Sequence, residues 1–341
     1  MNYFKAAVLE ELNKELVLHD LEHTLPQEGQ VKVKLLYSGI CGAQINEIKG
    51  IKGPDKFLPH LMGHEGVGEI VEIGPKVKFL NSGDYVILHW RKSAGIDTLG
   101  GEYKSKQGKK IASGPVTTFS EYTIVSENRL SKINYDKNLD HVYPLLGCAL
   151  STSYGIVLKE THPNENDSIL ISGGGGLGLS ILYWLKTIFP KIKITILEKN
   201  FKKLDYLKNF LEITIIDSLD LINNNDFKYN YVYETTGNID IISSSFNLLS
   251  KNGHLLLIGQ PKIDSRLTIK NPLAFFDGRK ISASDGGQID YVEDLPKILK
   301  KFNLELFNKL ELISKIIKLE DINLAIQEIQ KGTAKRILIK F

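Results

Sequence analysis

At 341 residues, with 42% hydrophobic and 24% charged side chains, the chain is long enough for two separate cores and has an ordinary globular composition. A formal net charge of +3, with lysines spread along the chain, is too small to argue for a nucleic-acid partner. Two cysteines far apart, Cys41 and Cys148, fit a reducing, cytoplasmic setting better than a disulfide framework, and Met1-Asn2-Tyr3-Phe4-Lys5 lacks a signal-peptide layout.

In chain order, short strands are expected at Lys5 to Val8, Leu16 to Leu18 and Val31 to Tyr37, with Pro26 and Gly29 between them. Val31-Lys32-Val33-Lys34-Leu35 alternates apolar with charged, the pattern of a half-exposed strand, and delivers the chain to Ser38-Gly39-Ile40-Cys41-Gly42. The stretch from Leu61 to Val77 then sets an imidazole beside a carboxylate, His64 and Glu65, among Gly63, Gly66 and Gly68. Glycines at that density let backbone pass close to something bulky or ionic. Taken alone, the same residues read equally well as a glycine-rich hairpin whose histidine and glutamate face water.

A turn and strand follow at Ser82 to Ile87, ending in Leu88-His89-Trp90-Arg91-Lys92. Arg91 to Thr118 is polar, and Phe119 to Val125 returns to strand character. Cys148 lies in Leu145-Leu146-Gly147-Cys148-Ala149-Leu150. Catalytic zinc takes three protein ligands and keeps a fourth position open, and two thiolates with one imidazole form such a set.

Ser168 to Leu185 carries no charge and is long enough for a membrane span, but Gly173-Gly174-Gly175-Gly176-Leu177-Gly178 in its middle is poor helix. A strand over Asp167 to Ile171, a glycine turn and a buried helix over Leu179 to Leu185 account for it better, and no membrane partner is expected. A second strand, Lys193 to Leu197, ends at Glu198. Further strands are expected at Tyr229 to Glu234, running into Thr235-Thr236-Gly237, and at Gly253 to Gly259. Strands alternating with helices over Asn164 to about Ser284 imply a doubly wound parallel sheet. Leu304 to Gln330 has apolar residues at helical spacing, and Arg336 follows Gly332.

Gly63-His64-Glu65 with Gly68, Gly74 and Val77, together with Ser38 to Cys41 and Leu146-Gly147-Cys148, resembles the zinc-dependent medium-chain alcohol dehydrogenase family along the whole chain. The resemblance implies an α/β protein with a β-rich, GroES-like catalytic domain at 1–152 and 285–341 and a doubly wound, parallel Rossmann domain at 153–284. It implies one catalytic zinc on Cys41, His64 and Cys148, with Glu65 the carboxylate that approaches the metal. Many relatives carry four close cysteines around a structural zinc in the region matching Arg91 to Thr118; this chain has none there, so no structural zinc is expected. The dinucleotide fingerprint maps to Gly173, Gly175 and Gly178, with Gly176 and Leu177 opening the helix. Glu198, Lys203, Thr235 and Ile258 are the further cofactor contacts implied, and Arg336 matches the position that reaches the pyrophosphate. A carboxylate at Glu198 accepts the ribose hydroxyls of NAD and repels the 2′-phosphate of NADP, although Lys199 next to it weakens the distinction. Relatives pair through the nucleotide-binding sheet, so a homodimer or homotetramer is expected.

The chain also departs from the family. Relatives place a serine or threonine two residues after the first cysteine, then an aspartate; here they are Ala43 and Gln44. Ala43 removes the first hydroxyl of the proton relay, and Gln44 removes a negative charge from beside the metal ligands. His60 and His89 are the remaining imidazoles considered for proton transfer. Trp90 falls where an aromatic residue lines the substrate pocket, flanked by His89 and Arg91. The expected small-molecule substrate is accordingly polar: a polyol, sugar, sugar phosphate or nucleotide sugar. Two other readings stand beside this one: a zinc-free quinone or enone reductase of the same superfamily, and a non-catalytic nucleotide-binding relative supported only by Ala43 and Gln44.

Overall fold

The computed structural model describes residues 3–209, 211–219 and 228–341, apart from the side chain of Lys203. Lys203, a predicted cofactor contact, therefore lies outside the described side chains. The chain divides into two compact units, one of residues 1–151, 289–300 and 313–341, the other of residues 152–288 and 301–312.

The first unit is β-rich. Its largest sheet runs in the order Leu130–Lys132, Tyr85–Leu88, Gly66–Ile73, Gln30–Ile40, Arg336–Lys340, Ile313–Ile317, with Tyr122–Ser126 also paired to Gln30–Ile40. Val31, Val33 and Leu35 are buried, as the alternation predicts. Lys32 is buried too, because its long stem carries Nζ to the Thr24 carbonyl at 3.1 Å. A smaller sheet joins Tyr3–Leu9 to Val17–Glu22 and His60–Leu61.

The polar loop without cysteines is held by other means. Tyr103–Lys104 pairs with Lys110–Ile111 in a short hairpin, and the buried Tyr103 hydroxyl accepts the Ile124 N–H at 2.6 Å. Glu127 accepts the Ile96 N–H at 2.9 Å, and Asp97 sits 2.6 Å from Lys92 Nζ.

The helical spacing over Leu304 to Gln330 does not become one helix. It is a short helix, Leu304–Lys309, then a strand, Ile313–Ile317, then a helix, Ile322–Gln330. The β-branched Ile313, Ile316 and Ile317 favour the strand, which finds a parallel partner in Arg336–Lys340. The unit boundary also differs from the expected 285: residues 301–312 belong to the nucleotide-type unit. Side-chain contacts explain this: the Tyr183 hydroxyl accepts the Asn303 N–H at 2.7 Å, Tyr206 donates to the Leu310 carbonyl at 2.5 Å, and Phe307 meets Tyr183 edge-on.

Among the described residues, the second unit has a six-stranded sheet in the order Ile213–Ile216, Lys193–Leu197, Ser168–Ser172, Tyr229–Glu234, Leu249–Leu257, Lys280–Ala283, parallel at each pairing. The strand order reverses direction between Ser168–Ser172 and Tyr229–Glu234, the place where doubly wound sheets bind ligands. The uncharged segment resolves into the strand Ser168–Ser172 and the helix Gly176–Ile188. Among the described residues no helix is long and apolar enough to cross a membrane.

Candidate functional site

Three ends of the first unit's framework converge. The Gln30–Ile40 strand ends at Cys41, which caps the helix Gly42–Ile48; the chain from His60–Leu61 leads to His64; and the helix Tyr143–Leu146 leads to Cys148. One donor atom each from Cys41, His64 and Cys148 lies within 4.8 Å of the others. Both cysteines are free and half-buried, and His64 Nε2 is buried without a hydrogen-bond partner. A buried, unpartnered ring nitrogen beside two thiols is a costly arrangement unless a cation takes its lone pair. The Cys41 thiol is pushed well down, chiefly by a hydrogen bond from Cys148, while burial opposes and Arg336 and His64 reinforce the shift. The residues present fit zinc.

The ring is held from behind by an amide. Gln44 Oε1 accepts the Cys41 N–H at 3.0 Å while Gln44 Nε2 faces His64 Nδ1. Glu65 is fully buried, accepts the Ala149 N–H at 3.4 Å, and sits 3.1 Å from Arg336 Nη1. Burial pushes the Glu65 carboxyl up, and Arg336 opposes that shift. Glu65 thus stands behind the ligand trio, outside the group of converging donor atoms. Arg336, expected at the pyrophosphate, is 3% exposed, with its guanidinium bound to Glu65 and to the Ile40 carbonyl at 3.0 Å.

Two supports were not legible in sequence. The buried Tyr291 hydroxyl lies 2.9 Å from the Leu146 and Gly147 carbonyls and 2.9 Å from Ser151 Oγ, and Ser151 in turn donates to the Cys148 carbonyl at 3.1 Å. Ser38 donates to Thr118 Oγ1 at 2.7 Å, or to the Glu65 carbonyl at 3.1 Å. Tyr291 is remote in sequence from the segment it braces, and no local pattern marks it.

In the second unit, Gly173 has φ +101°, and an added Cβ there would come 2.5 Å from Thr235 Oγ1. Thr235 itself donates to the Ser172 carbonyl at 2.7 Å. At Gly175 an added Cβ would meet nothing within 4 Å, so the turn is open on that side and would admit a phosphate to the N–H groups of the helix Gly176–Ile188. Leu177 lies in the first turn of that helix, and Gly178 packs against the Gly173 carbonyl with no room for a side chain. Glu198 follows the Lys193–Leu197 strand, and its carboxylate accepts the Gly174 and Asn200 N–H groups at 3.0 Å. Ile258 continues the Leu249–Leu257 strand and donates its N–H to the Glu234 carbonyl at 2.8 Å.

Residues 27–135 match the family described as "Alcohol dehydrogenase GroES-like domain". The chain is 25% identical to S-(hydroxymethyl)glutathione dehydrogenase of Synechocystis sp., over 99% of both chains. Its fold matches an alcohol dehydrogenase zinc-binding domain protein from Burkholderia ambifaria, with TM-score 0.86, 20% identity and coverage of 99% of both chains. It also matches a structure described as a short chain alcohol dehydrogenase from Escherichia coli CFT073 complexed with cofactor NADH, with TM-score 0.80, 18% identity and coverage of 100% of both. Residues 27–135 thus carry an alcohol dehydrogenase GroES-like domain, and over its full length the chain is similar in sequence to alcohol dehydrogenases and shares their fold.

Against that family's pattern, the predicted pocket residues fare differently. Ala43 sits half-buried in the helix that Cys41 caps, with only a methyl group where relatives carry a hydroxyl. His89, expected as a candidate for proton transfer, has both ring nitrogens engaged. It is fully buried, bonded through Nδ1 to the Arg91 carbonyl at 2.8 Å and through Nε2 to Ser131 Oγ at 3.0 Å, and stacked on Tyr291. Burial lowers its pKa to about 3, so the ring stays neutral near pH 7. His60 is buried between the carboxylates of Asp55 and Glu47. Trp90 and Arg91 are half-buried, with the guanidinium 5.4 Å from the indole centre and Nε donating to the Ile289 carbonyl at 3.1 Å. Leu88, just before them, pairs with Gly66 in the sheet that carries the Gly63–Glu65 segment.

Proposed function

We propose that this alcohol dehydrogenase uses zinc and NAD to interconvert a polar alcohol and its carbonyl, of the polyol, sugar, sugar-phosphate or nucleotide-sugar kind. The observation that carries the reading is the convergence of Cys41, His64 and Cys148 on one point, with His64 Nε2 buried and unpartnered. Zinc held there supplies Lewis-acid polarisation of the substrate oxygen, and nicotinamide supplies the hydride acceptor or donor. The chain's own residues set the rest. Gln44 orients the His64 ring, Tyr291 and Ser151 fix the Cys148 segment, and Arg336 neutralises Glu65 behind the ligands. With no hydroxyl at Ala43 and a neutral His89, the hydroxyl proton leaves through water or through a group of the substrate.

A polar substrate is supported by the half-exposed Arg91 laid on Trp90, whose guanidinium suits anionic or hydroxyl-rich groups. The Synechocystis relative is named for S-(hydroxymethyl)glutathione, itself a charged substrate. NAD over NADP is supported by the Glu198 carboxylate held against the glycine turn.

The test is a substrate panel of polyols, sugar phosphates, nucleotide sugars, S-(hydroxymethyl)glutathione and simple aliphatic alcohols, with NAD or NADP, followed by reduced-nicotinamide absorbance with and without a chelator. Turnover favouring polar substrates and lost on chelation supports the reading. Aliphatic alcohols far outperforming the rest would remove the polar-substrate part, and activity indifferent to both chelator and Cys148→Ser would remove the zinc. Glu198→Ala is expected to shrink the preference for NAD over NADP about tenfold, the equivalent of ~1.4 kcal/mol.

A further inference from the structure

Apart from the thiolate trio, Glu47, Asp55 and His60 also bring one donor atom each within 4.8 Å of the others. The His60 side chain is 9% exposed, with Nε2 lying 2.9 Å from Asp55 Oδ2 and 3.8 Å from Glu47 Oε1. Its Nδ1 faces the Leu61 carbonyl at 2.8 Å. A carbonyl only accepts, so Nδ1 carries the proton, and in a neutral ring Nε2 is then a bare lone pair. In that neutral ring the lone pair and two carboxylate oxygens are three acceptors facing one point, an arrangement that either a cation or a second ring proton on Nε2 must bridge. Asp55 is oriented as well, because its Oδ1 accepts the Phe57 N–H at 2.8 Å and leaves Oδ2 for the cluster. A ring whose far N–H is fixed by a backbone carbonyl, beside a carboxylate fixed by a backbone N–H, is the support that metal-binding side chains need.

We propose that Glu47, Asp55 and His60 form a second cation site, for a divalent first-row transition ion such as Zn2+ or Mn2+. One imidazole and two carboxylates suit such ions, and water completes the shell. Glu47, 41% exposed, is the open side through which an ion enters. Burial raises the Glu47 carboxyl, a strain that a bound cation relieves. This site has nitrogen and oxygen donors only, so it is not the four-cysteine zinc of relatives. Glu47 lies on the helix capped by Cys41, and His60 lies four residues before His64, so an ion here ties together the two arms that carry those ligands.

The inference is independent of the zinc reading at the thiolates, and the test separates them. Chelator-treated full-length protein is dialysed against Zn2+ and its metal content measured, with Co2+ as a spectroscopic probe of thiolate ligation. Two equivalents are expected for the native chain and one for Cys41→Ser/Cys148→Ser. Glu47→Gln and Asp55→Asn should each weaken the second equivalent at least tenfold while leaving the thiolate-to-cobalt band intact. A single equivalent carried by the cysteines would overturn the proposal, as would a second one indifferent to both carboxylate variants. So would nitrogen NMR of the metal-treated protein showing protons on both His60 nitrogens, which would make the cluster an imidazolium bridged by two carboxylates.

Discussion

Gln44 shows how one residue can tune this metal site, through a count of acceptors. When a metal takes His64 Nε2, the ring proton must sit on Nδ1, which then points at the Gln44 amide. The Cys41 N–H already points at that same amide. Two donors therefore meet a group with one oxygen, and flipping the amide only exchanges which donor is left facing NH2. A carboxylate would accept both. Gln44→Asp is expected to tighten zinc about tenfold, measured by competition with a chromogenic chelator; unchanged or weaker binding would show that the amide is no handicap. Acid stability is a second residue-scale outcome. His89 has a folded-state pKa of about 3 and His254 of about 4, each lowered mainly by burial. In the unfolded chain these rings protonate below about 6.5, whereas in the folded chain they stay neutral. Their contribution is thus complete above that pH and lost as pH falls towards 4, at up to about 1.4 kcal/mol per pH unit for each ring. Denaturant unfolding at stepped pH should show the loss, and His89→Gln should flatten its slope although it lowers stability overall. The convergence of Cys41, His64 and Cys148 was legible at this scale because scarce residue types mark them. The neutrality of His89 was not, since it depends on the packing around the ring.

At the scale of elements, the strand leading to Cys41 and the segment carrying His64 and Glu65 are joined by close backbone approach at Gly39. Its N–H bonds the Glu65 carbonyl at 3.1 Å, and an added Cβ would sit 2.6 Å from Glu65 Oε1. The carboxylate cannot retreat freely, because Arg336 and the Ala149 N–H hold its far end. Gly39→Ala is expected to cost about 1–3 kcal/mol in unfolding free energy and to weaken zinc retention, read by denaturation and by metal content after dialysis. A variant as stable as the parent would mean that the Glu65–Arg336 pair moves easily. The strand–turn–helix over Ser168–Ile188 could be foreseen, since glycines punctuate it. The Leu304 to Gln330 stretch could not: helical spacing and a β-branched run compete there, and the available strand partner, Arg336–Lys340, comes later in the chain.

Across the whole molecule, the second unit's sheet ends, among the described residues, at Lys280–Ala283. Close by in sequence, Leu273 is 73% and Phe276 89% exposed, and Ile263 is 75% exposed. An unpaired strand with exposed large apolar groups near it is a feature that proteins usually cover. We propose that a second copy covers it, as the family resemblance implies. Sedimentation should give at least a dimer for the native chain and a smaller species for Phe276→Asp; a native monomer would contradict this. Local chemistry along the chain marks the scarce cysteines, the histidine among glycines, the glycine-rich turn and the alternation of strands and helices. Four further features come only with folding: Arg336 pairs with Glu65, Tyr291 braces the Cys148 segment, residues 301–312 join the nucleotide-type unit, and His60 stands between two carboxylates. The physical reason is common to all four. Each depends on a partner that folding, and not sequence proximity or spacing, brings within a few ångströms, and burial then fixes what the side chain can do.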